Sequence, residues 1–381
     1  MSRSMKQWSA RRQAAVVRDL HRDVVTAARS GAASRAGGSA GSARVVGYLV
    51  AWLIHLLPPA LVAAGVFLLT RFTILSVPAG LVALDLAWVL RPRFGRISPA
   101  DEKLTRQDAP RLFALIDRIG AETGAPRTDL VVISGEVNAS FGTYGPRRRR
   151  VVEIGYPLWL VLTPEERVVV LAHEMAHASN GDARHGLVVG GALHSLTELR
   201  EVSRFCWRPG DGISQLFAEG LLSLLGLPVR GLIVVLELLS YRSSQRAEYR
   251  ADAIGARVGG TGAALSAMDA MSTRVVWARR FLATQTLAAG RQDLWEDLRT
   301  SVAGVPGSEL DRLRADAERE ELRVDRTHPP THLRVEHLAA LPYTEALVRP
   351  EAMEAVDDEI GQVAARVARG LRENAQAALY R

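Results

Sequence analysis

Apolar residues are concentrated between positions 45 and 90 of the chain, in two runs that are almost free of charge. Val45–Thr70 contains no charged residue, and Phe72–Leu90 contains only Asp85. Each run approaches the roughly 20 residues that a helix needs to cross the hydrocarbon layer of a bilayer. Because little more than Arg71 joins the two runs, the pattern predicts a transmembrane helical hairpin over residues 45–92. The alternative is a hairpin buried inside a soluble protein.

Residues 1–44 form a basic leader in front of this hairpin, with nine arginine and lysine residues but only two aspartates. The helical spacing of Val16, Val17, Leu20 and Val24 predicts a short amphipathic helix, one that could lie on a membrane. The Gly-, Ala- and Ser-rich stretch from Ser30 to Ser42 is typical of a flexible linker. Arginines flank both outer ends of the hairpin, so the positive-inside rule places the leader and everything after the hairpin in the cytoplasm.

Helical and strand patterns alternate over residues 97–162, as in a soluble domain with a small sheet. A helix is predicted after Asp108-Ala-Pro110, where apolar residues share one helical face. Three short strands are predicted at Leu130–Ile133, Asn138–Tyr144 and Val151–Ile154. The turn at Gly145-Pro146 and the arginine run 147–150 then form a solvated hairpin tip, with contact to lipid phosphates as the less favoured alternative.

Two further apolar stretches lie within residues 186–241. Gly186–Leu196 is too short to span a bilayer unaided, and Leu216–Leu239 is interrupted by charges and by Pro228. We expect this insertion to contact a membrane, because so apolar a surface needs a partner; the pattern does not decide whether it crosses. Over residues 350–381, the spacing of the apolar residues predicts a C-terminal amphipathic helix that packs on the domain or on a partner.

Composition narrows the class of protein. The chain has 381 residues, 48% of them hydrophobic, and a net charge of +7 that comes almost entirely from arginine. No basic face interleaved with aromatic residues is visible, so we do not predict nucleic-acid binding. The single cysteine, Cys206, excludes an internal disulfide and a cysteine-rich zinc site.

The strongest chemical signal is His173-Glu174-Met-Ala-His177. It follows Thr163-Pro-Glu-Glu166, in which an N-cap threonine, a proline at the first helical position and a glutamate that closes a capping box predict the start of a helix. Residues four apart share a helix face, so both imidazoles can reach one metal ion. Glu174 can act on the water that such an ion activates. Two incidental surface histidines are the alternative.

A catalytic zinc site needs a third protein ligand. The spacing H-E-x-x-H-x-x-G-x-x-H fails here, because position 180 is Asn, position 183 is Ala and His185 is displaced. Glu198 and Glu201 lie in an undistinguished charged segment. Glu248 and Asp252 are better placed. They are four residues apart, so one can bind the metal while the other hydrogen-bonds the free nitrogen of a ligating histidine.

Four motifs recur in a fixed order: Val137-Asn138-Ala-Ser, His173-Glu-Met-Ala-His177 followed by Asn180-Gly-Asp182, Glu248-Tyr-Arg-Ala-Asp252, and Thr327-His328-Pro-Pro with Arg334. In these motifs the chain resembles the HtpX-like membrane zinc metallopeptidases, kin to the CAAX prenyl endopeptidases. The resemblance covers residues 108–340, with the hairpin upstream in the expected place. The long basic leader and the interrupted apolar insertion depart from the pattern of that family.

The resemblance implies an α+β fold: a mainly helical, gluzincin-type metallopeptidase domain with a small β-sheet, over residues 93–349, preceded by the transmembrane hairpin. It implies one Zn²⁺ per chain, held by His173, His177 and Glu248, with Glu174 as the catalytic base. Asp252 and Asp182 are expected to support these ligands.

The same resemblance implies where a substrate binds. The strand that starts at Asn138, Ala139 and Ser140 would pair with the peptide, and His328 and Arg334 would lie over the cleft, near the developing oxyanion or as a gate. Without the resemblance, the His328 segment is as well explained by a rigid surface turn at its two prolines.

These features together predict a membrane-anchored zinc endopeptidase that cleaves protein substrates, with quality control of membrane proteins as the role suggested by analogy. We predict a multi-pass protein of the cell membrane whose catalytic domain faces the cytoplasm. Its expected partners are peptide or protein substrates and the lipid bilayer. The alternative is a non-catalytic membrane adaptor that keeps a structural metal. The sequence leaves open the natural substrate, the cleavage preference and the oligomeric state.

Overall fold

The computed structural model of the chain describes residues 3–30, 38–91, 95, 97–145, 147–179, 186–206, 210, 212–288, 293–319 and 328–379. The chain divides into two compact units. An apolar unit comprises residues 1–18, 35–93 and 184–244, and an α+β unit comprises residues 19–34, 94–183 and 245–381.

In chain order, the helices and strands are α1 (Arg3–Ser30), α2 (Gly38–Thr70), α3 (Ser76–Val89), β1 (Glu102–Leu104), α4 (Pro110–Thr123), β2 (Leu130–Ser134), β3 (Ala139–Tyr144), β4 (Arg149–Gly155), α5 (Tyr156–Val161), α6 (Pro164–Ser179), a π-helical turn (Gly186–Gly190), α7 (Gly191–Val202), α8 (Ile213–Leu225), α9 (Leu227–Gly259), α10 (Thr261–Ser272), α11 (Arg274–Gln285), α12 (Leu294–Ala303), α13 (Gly307–Arg319), α14 (Thr331–Ala340) and α15 (Met353–Leu379).

Helices α2 and α3 form the predicted helical hairpin, and two glycines allow them to pack closely. A Cβ atom added to Gly65 would lie 3.0 Å from the Gly80 carbonyl oxygen, and one added to Gly80 would lie 2.9 Å from the Gly65 oxygen. Small residues of this kind let apolar helices approach backbone to backbone. The first residues of α2, from Gly38 to Ser42, fall in the stretch predicted to be a flexible linker, so helix begins earlier than the composition indicated.

Among the described residues, two helical stretches are long and apolar enough to cross a membrane, Val45–Thr70 and Ile213–Gly259. Along the first, several large apolar side chains are more than half exposed: Leu49, Trp52, Leu53, Leu56 and Phe67. This exposure disagrees with the alternative of a buried soluble hairpin, because such a helix would hide most of its apolar surface.

Helix α3 is shorter than the predicted second span over Phe72–Leu90. It has 14 residues, about 21 Å at 1.5 Å per residue, whereas the hydrocarbon core is roughly 30 Å thick. The reason lies at its start. Phe72 takes a left-handed conformation (φ 47°), and Thr73 and Ser76 exchange backbone-to-side-chain hydrogen bonds of 2.9 and 3.0 Å. These bonds begin the helix four residues later than the apolar run begins.

The apolar insertion consists of α7, α8 and the first part of α9. Between α8 and α9, Gly226 has no room for a side chain beside Ser203, and Pro228 follows in the first turn of α9, where its missing N–H is tolerated. Phe217, Leu221 and Leu224 of α8 are exposed. From residue 245 onward α9 belongs to the α+β unit, and the polar residues of this part, from Arg246 to Arg257, place it outside any apolar span.

The sheet of the α+β unit is mixed, with strand order β1-β2-β4-β3. Strands β2 and β4 are parallel, while β1 and β3 run antiparallel to their neighbours. The three predicted strands are present, and β1 is an addition that the sequence analysis missed. Strand β3 is an edge strand, so half of its main-chain groups face away from the sheet.

The core of this unit lies between the sheet and helices α4, α6 and α15. Leu112, Phe113, Ile116 and Ile119 of α4 are fully buried there. The predicted C-terminal helix packs on the same core through Val356, Ile360, Val363 and Val367. Its Glu359 accepts hydrogen bonds from the backbone N–H groups of Arg111 and Leu112, both 2.9 Å, and thereby caps the first turn of α4.

The leader helix α1 differs from the prediction of a short helix on a membrane surface. It runs over Arg3–Ser30, and Leu20, His21 and Val25 on one face are buried. Residues 19–34 are counted within the α+β unit. The apolar face at these positions is therefore covered by protein.

Candidate metal centre and active site

Helix α6 is held in place by its buried N-terminus. Thr163 N–H donates to Glu166 Oε2 (2.8 Å), and Glu166 N–H to Thr163 Oγ1 (3.4 Å), which is the predicted capping box. Glu166 is fully buried, and its other oxygen accepts a hydrogen bond of 2.6 Å from Arg274 of α11. This anchoring fixes the rotation of α6, which determines where its two histidines point.

His173 and His177 lie one turn apart on α6, and Glu248 of α9 faces both. The two Nε2 atoms are 3.3 Å apart. Glu248 Oε2 lies 3.5 Å from His173 Nε2, and Glu248 Oε1 lies 3.5 Å from His177 Nε2. One donor atom from each residue lies within 4.8 Å of the other two. Three side chains from two helices therefore converge on a point that one metal ion could occupy.

A buried carboxylate supports this cluster from behind. Asp252 Oδ1 lies 3.0 Å from His173 Nδ1, so the second ring nitrogen faces a carboxylate, as is usual for a ligating histidine. Arg334 of α14 donates to both Asp252 oxygens, from Nε at 2.8 Å and from Nη2 at 2.5 Å. All three side chains are buried.

The electrostatics of the cluster favour positive charge at the histidine pair. Burial alone would lower the pKa of His173, but hydrogen bonds to Asp252 and Glu248 raise it to about 10. Burial would raise the pKa values of both carboxyls. Instead, His173 and His328 hold the pKa of Glu248 well below its usual range, and Arg334, then His173, do the same for Asp252. Both acids are thus charged at neutral pH.

The sequence-predicted residues His328 and Arg334 have different surroundings. His328 Nδ1 lies 2.5 Å from Glu248 Oε2, and its side chain is 46% exposed, so it borders the cluster at its open side. Arg334 is buried, and its guanidinium is occupied by Asp252. Its position supports a role in holding Asp252, which differs from the predicted stabilisation of an oxyanion.

A cavity of about 900 Å³ adjoins the cluster. Glu174, His173 and His328 line it together with Asn138 and Ala139 at the start of β3. An apolar wall is formed by residues of α6, α10, α11 and α14: Val169, Met268, Met271, Val275 and Leu338. The sequence analysis interpreted Met268, Met271 and Val275 only as a core stripe. They lie between the core and the cavity.

The edge strand β3 starts at a tight crossing. Gly155 N–H donates to the Asn138 carbonyl (2.8 Å), and a Cβ on Gly155 would lie 1.8 Å from the carbonyl oxygen of Glu136. Main-chain groups alternate in direction along an antiparallel strand. Asn138 and Ser140 therefore point theirs at β4, whereas Ala139 and Phe141 turn theirs outward.

The donor set fits a zinc ion. Two imidazoles and one carboxylate are common ligands of catalytic zinc, and the raised pKa of His173 shows that the buried carboxylates already draw positive charge to this point. Asp182, which was predicted to support the ligands, lies outside the described residues, as do Asn180 and Gly181.

Comparison with known families agrees with this geometry. The family model of Peptidase family M48 matches residues 106–341, more than half of the chain. The chain belongs to this family. The predicted resemblance and the α+β fold class are therefore confirmed.

Relatives of this M48 peptidase are named protease HtpX homologues. One from Gemmatimonas aurantiaca is 25% identical over 62% of this chain and 78% of its own length. One from Persephonella marina is 29% identical over 41% and 54%, and one from Syntrophobacter fumaroxidans is 26% identical over 41% and 56%. The match thus spans about half the length of the second and third relatives. No solved structure matches the chain.

Proposed function

We propose that this M48 chain is a membrane-anchored, zinc-dependent endopeptidase. The observation that carries the proposal is the convergence of His173, His177 and Glu248 beside Glu174, in a cavity bordered by a free strand edge. A bound zinc ion would be held by those three ligands, and it supplies Lewis-acid chemistry by acidifying water and polarising a carbonyl.

The residues of the chain divide the remaining work. Glu174 is half-buried in the cavity wall, where its carboxylate accepts a proton from the attacking water and then passes that proton to the leaving amine. Asp252 orients the ring of His173, and Arg334 keeps Asp252 charged and in place. His328, at the open side, can donate a hydrogen bond to the oxygen of the cleaved carbonyl.

The outward main-chain groups of Ala139 and Phe141 offer a docking edge for an extended peptide. Strand addition of this kind obtains its affinity from backbone hydrogen bonds and requires little of the peptide's side chains. The apolar cavity wall then favours peptides with an apolar residue near the cleaved bond. Such a broad preference suits a protease that removes faulty membrane proteins.

The exposed apolar surface of α2 supports the membrane location. The arginines on either side of the hairpin support a cytoplasmic catalytic unit.

The decisive experiment compares Glu174→Gln with Glu165→Gln in the full-length, detergent-purified chain. Glu165 is exposed on the same helix and provides the matched control. We expect Glu174→Gln to bind one zinc ion but to lose casein cleavage, while Glu165→Gln keeps both properties. If Glu174→Gln still cleaved casein with zinc bound, Glu174 would not be the base. If the wild type bound zinc but cleaved no protein, the chain would be an adaptor with a structural metal.

A further inference from the structure

The leader helix α1 brings a buried histidine to the two helices that surround the metal centre. His21 is 8% exposed, and the neighbouring Leu20 is fully buried. His21 Nε2 lies 2.9 Å from Glu336 Oε2 of α14, and His21 Nδ1 lies 3.4 Å from the Tyr249 hydroxyl of α9. A single side chain therefore contacts both helices.

These contacts adjoin the residues that hold the metal ligands. Tyr249 follows Glu248 directly in α9 and is 2% exposed. Glu336 lies two residues beyond Arg334 in α14. The ring of His337, also in α14, lies 5.1 Å from the ring of Tyr249. The contact between α9 and α14 thus has the Arg334–Asp252 pair on one side and the His21 contacts on the other.

The alignment of α9 with α14 matters because the ligands depend on it. Asp252 of α9 reaches His173, while Arg334 of α14 holds Asp252 with two hydrogen bonds. A functional constellation needs its groups held within about 0.5 Å by neighbours that are themselves fixed. If α14 moved relative to α9, Arg334 would leave Asp252, and Asp252 would no longer orient His173.

We propose that His21 is a positioning residue for the metal centre: by bridging Glu336 and Tyr249 it fixes α14 against α9. The inference rests on the proposed function only in assuming that His173, His177 and Glu248 bind zinc. It makes the leader helix a working part of the catalytic unit.

The test uses point variants of the full-length chain: His21→Ala, His21→Gln, Glu336→Gln and, as the matched control, Arg22→Ala. Arg22 is on the same helix, with its side chain 76% exposed and paired with Asp19. We expect His21→Ala to lower zinc affinity, measured by competition with a chelator, about tenfold, the lower end of the range for residues that support metal ligands. We also expect a lower kcat with little change in KM, because peptide docking at β3 is untouched.

Two further readouts separate positioning from general destabilisation. The visible spectrum of the Co²⁺-substituted protein should change in His21→Ala and Glu336→Gln but not in Arg22→Ala. His21→Gln, which can still donate a hydrogen bond to Glu336, should recover part of the zinc affinity. If His21→Ala does not fold, as judged by circular dichroism, His21→Gln and Glu336→Gln carry the test, and zinc affinity equal to wild type in both overturns the proposal.

The outcomes also distinguish this inference from the proposed function. A wild type that binds no zinc would overturn both. A wild type that binds zinc and cleaves casein, together with a folded His21→Ala variant that matches Arg22→Ala in zinc affinity, kcat and cobalt spectrum, would overturn only the role of His21.

Discussion

Replacing Asp252 with asparagine should weaken both the fold and the metal centre, because it removes the only carboxylate that the described structure places on the buried Arg334. The substitution keeps the shape of the side chain and leaves an oxygen that can still face His173. It leaves the Arg334 guanidinium, which is 8% exposed, without its countercharge.

The size of the effect follows from burial. Removing one partner of a buried ion pair costs about 3–5 kcal/mol of unfolding free energy, whereas an exposed pair contributes only about 0–1 kcal/mol. The chain offers a matched exposed pair. Asp269 receives two hydrogen bonds from Arg314, at 2.7 and 3.0 Å, with both side chains more than 40% exposed. Asp252→Asn and Asp269→Asn therefore change the same chemistry in opposite surroundings.

The assay is denaturant unfolding of the detergent-purified chain with excess chelator, so that zinc binding does not contribute to stability. A second titration then measures zinc affinity, which should fall about 10- to 100-fold in Asp252→Asn and stay at the wild-type value in Asp269→Asn. The reasoning is refuted if the two variants lose equal stability. It is also refuted if Asp252→Asn keeps wild-type zinc affinity.

Three further predictions concern pH, the substrate strand and topology. Burial lowers the pKa of His337 from 6.5 to about 4; the unfolded chain therefore binds the proton first as pH falls through that window, and folding weakens by up to about 3 kcal/mol. His337→Phe should flatten the stability curve between those values, and an unchanged slope would contradict the assignment. Gly155→Ala should cost about 1–3 kcal/mol and raise KM by displacing the start of β3, while Gly361→Ala, where a Cβ meets nothing within 4 Å, should do neither. A tag at either terminus should resist external protease in intact cells; digestion of both tags would invert the topology.

Local patterns in the sequence were sufficient to predict the helix that carries the histidines. The capping box at Thr163 and Glu166, the spacing of His173 and His177, and the pairing of Glu248 with Asp252 four residues later all depend on helical periodicity over a few residues. The same holds for the C-terminal helix, whose apolar residues recur at regular spacing. Periodicity of this kind is visible in a single sequence because the helix imposes it.

The contacts that were missed join distant parts of the chain. His21 and Glu336 are separated by 315 residues, and Arg334 and Asp252 by 82; nothing in the local sequence of either partner indicates the other. Strand β1 has three residues, too few for an alternating pattern to be recognised. Helix α3 was predicted too long because hydropathy does not detect the hydrogen bonds between Thr73 and Ser76.

The order of the ligands along the chain has a consequence for biosynthesis. His173 and His177 emerge from the ribosome before the apolar insertion, and Glu248 emerges only after it. An unfinished polypeptide therefore carries an incomplete ligand set until its greasiest segment has been translated. A nascent protease built in this order cannot hydrolyse neighbouring chains in the cytosol during its own synthesis, so delivery to the lipid phase comes before the capacity to cut.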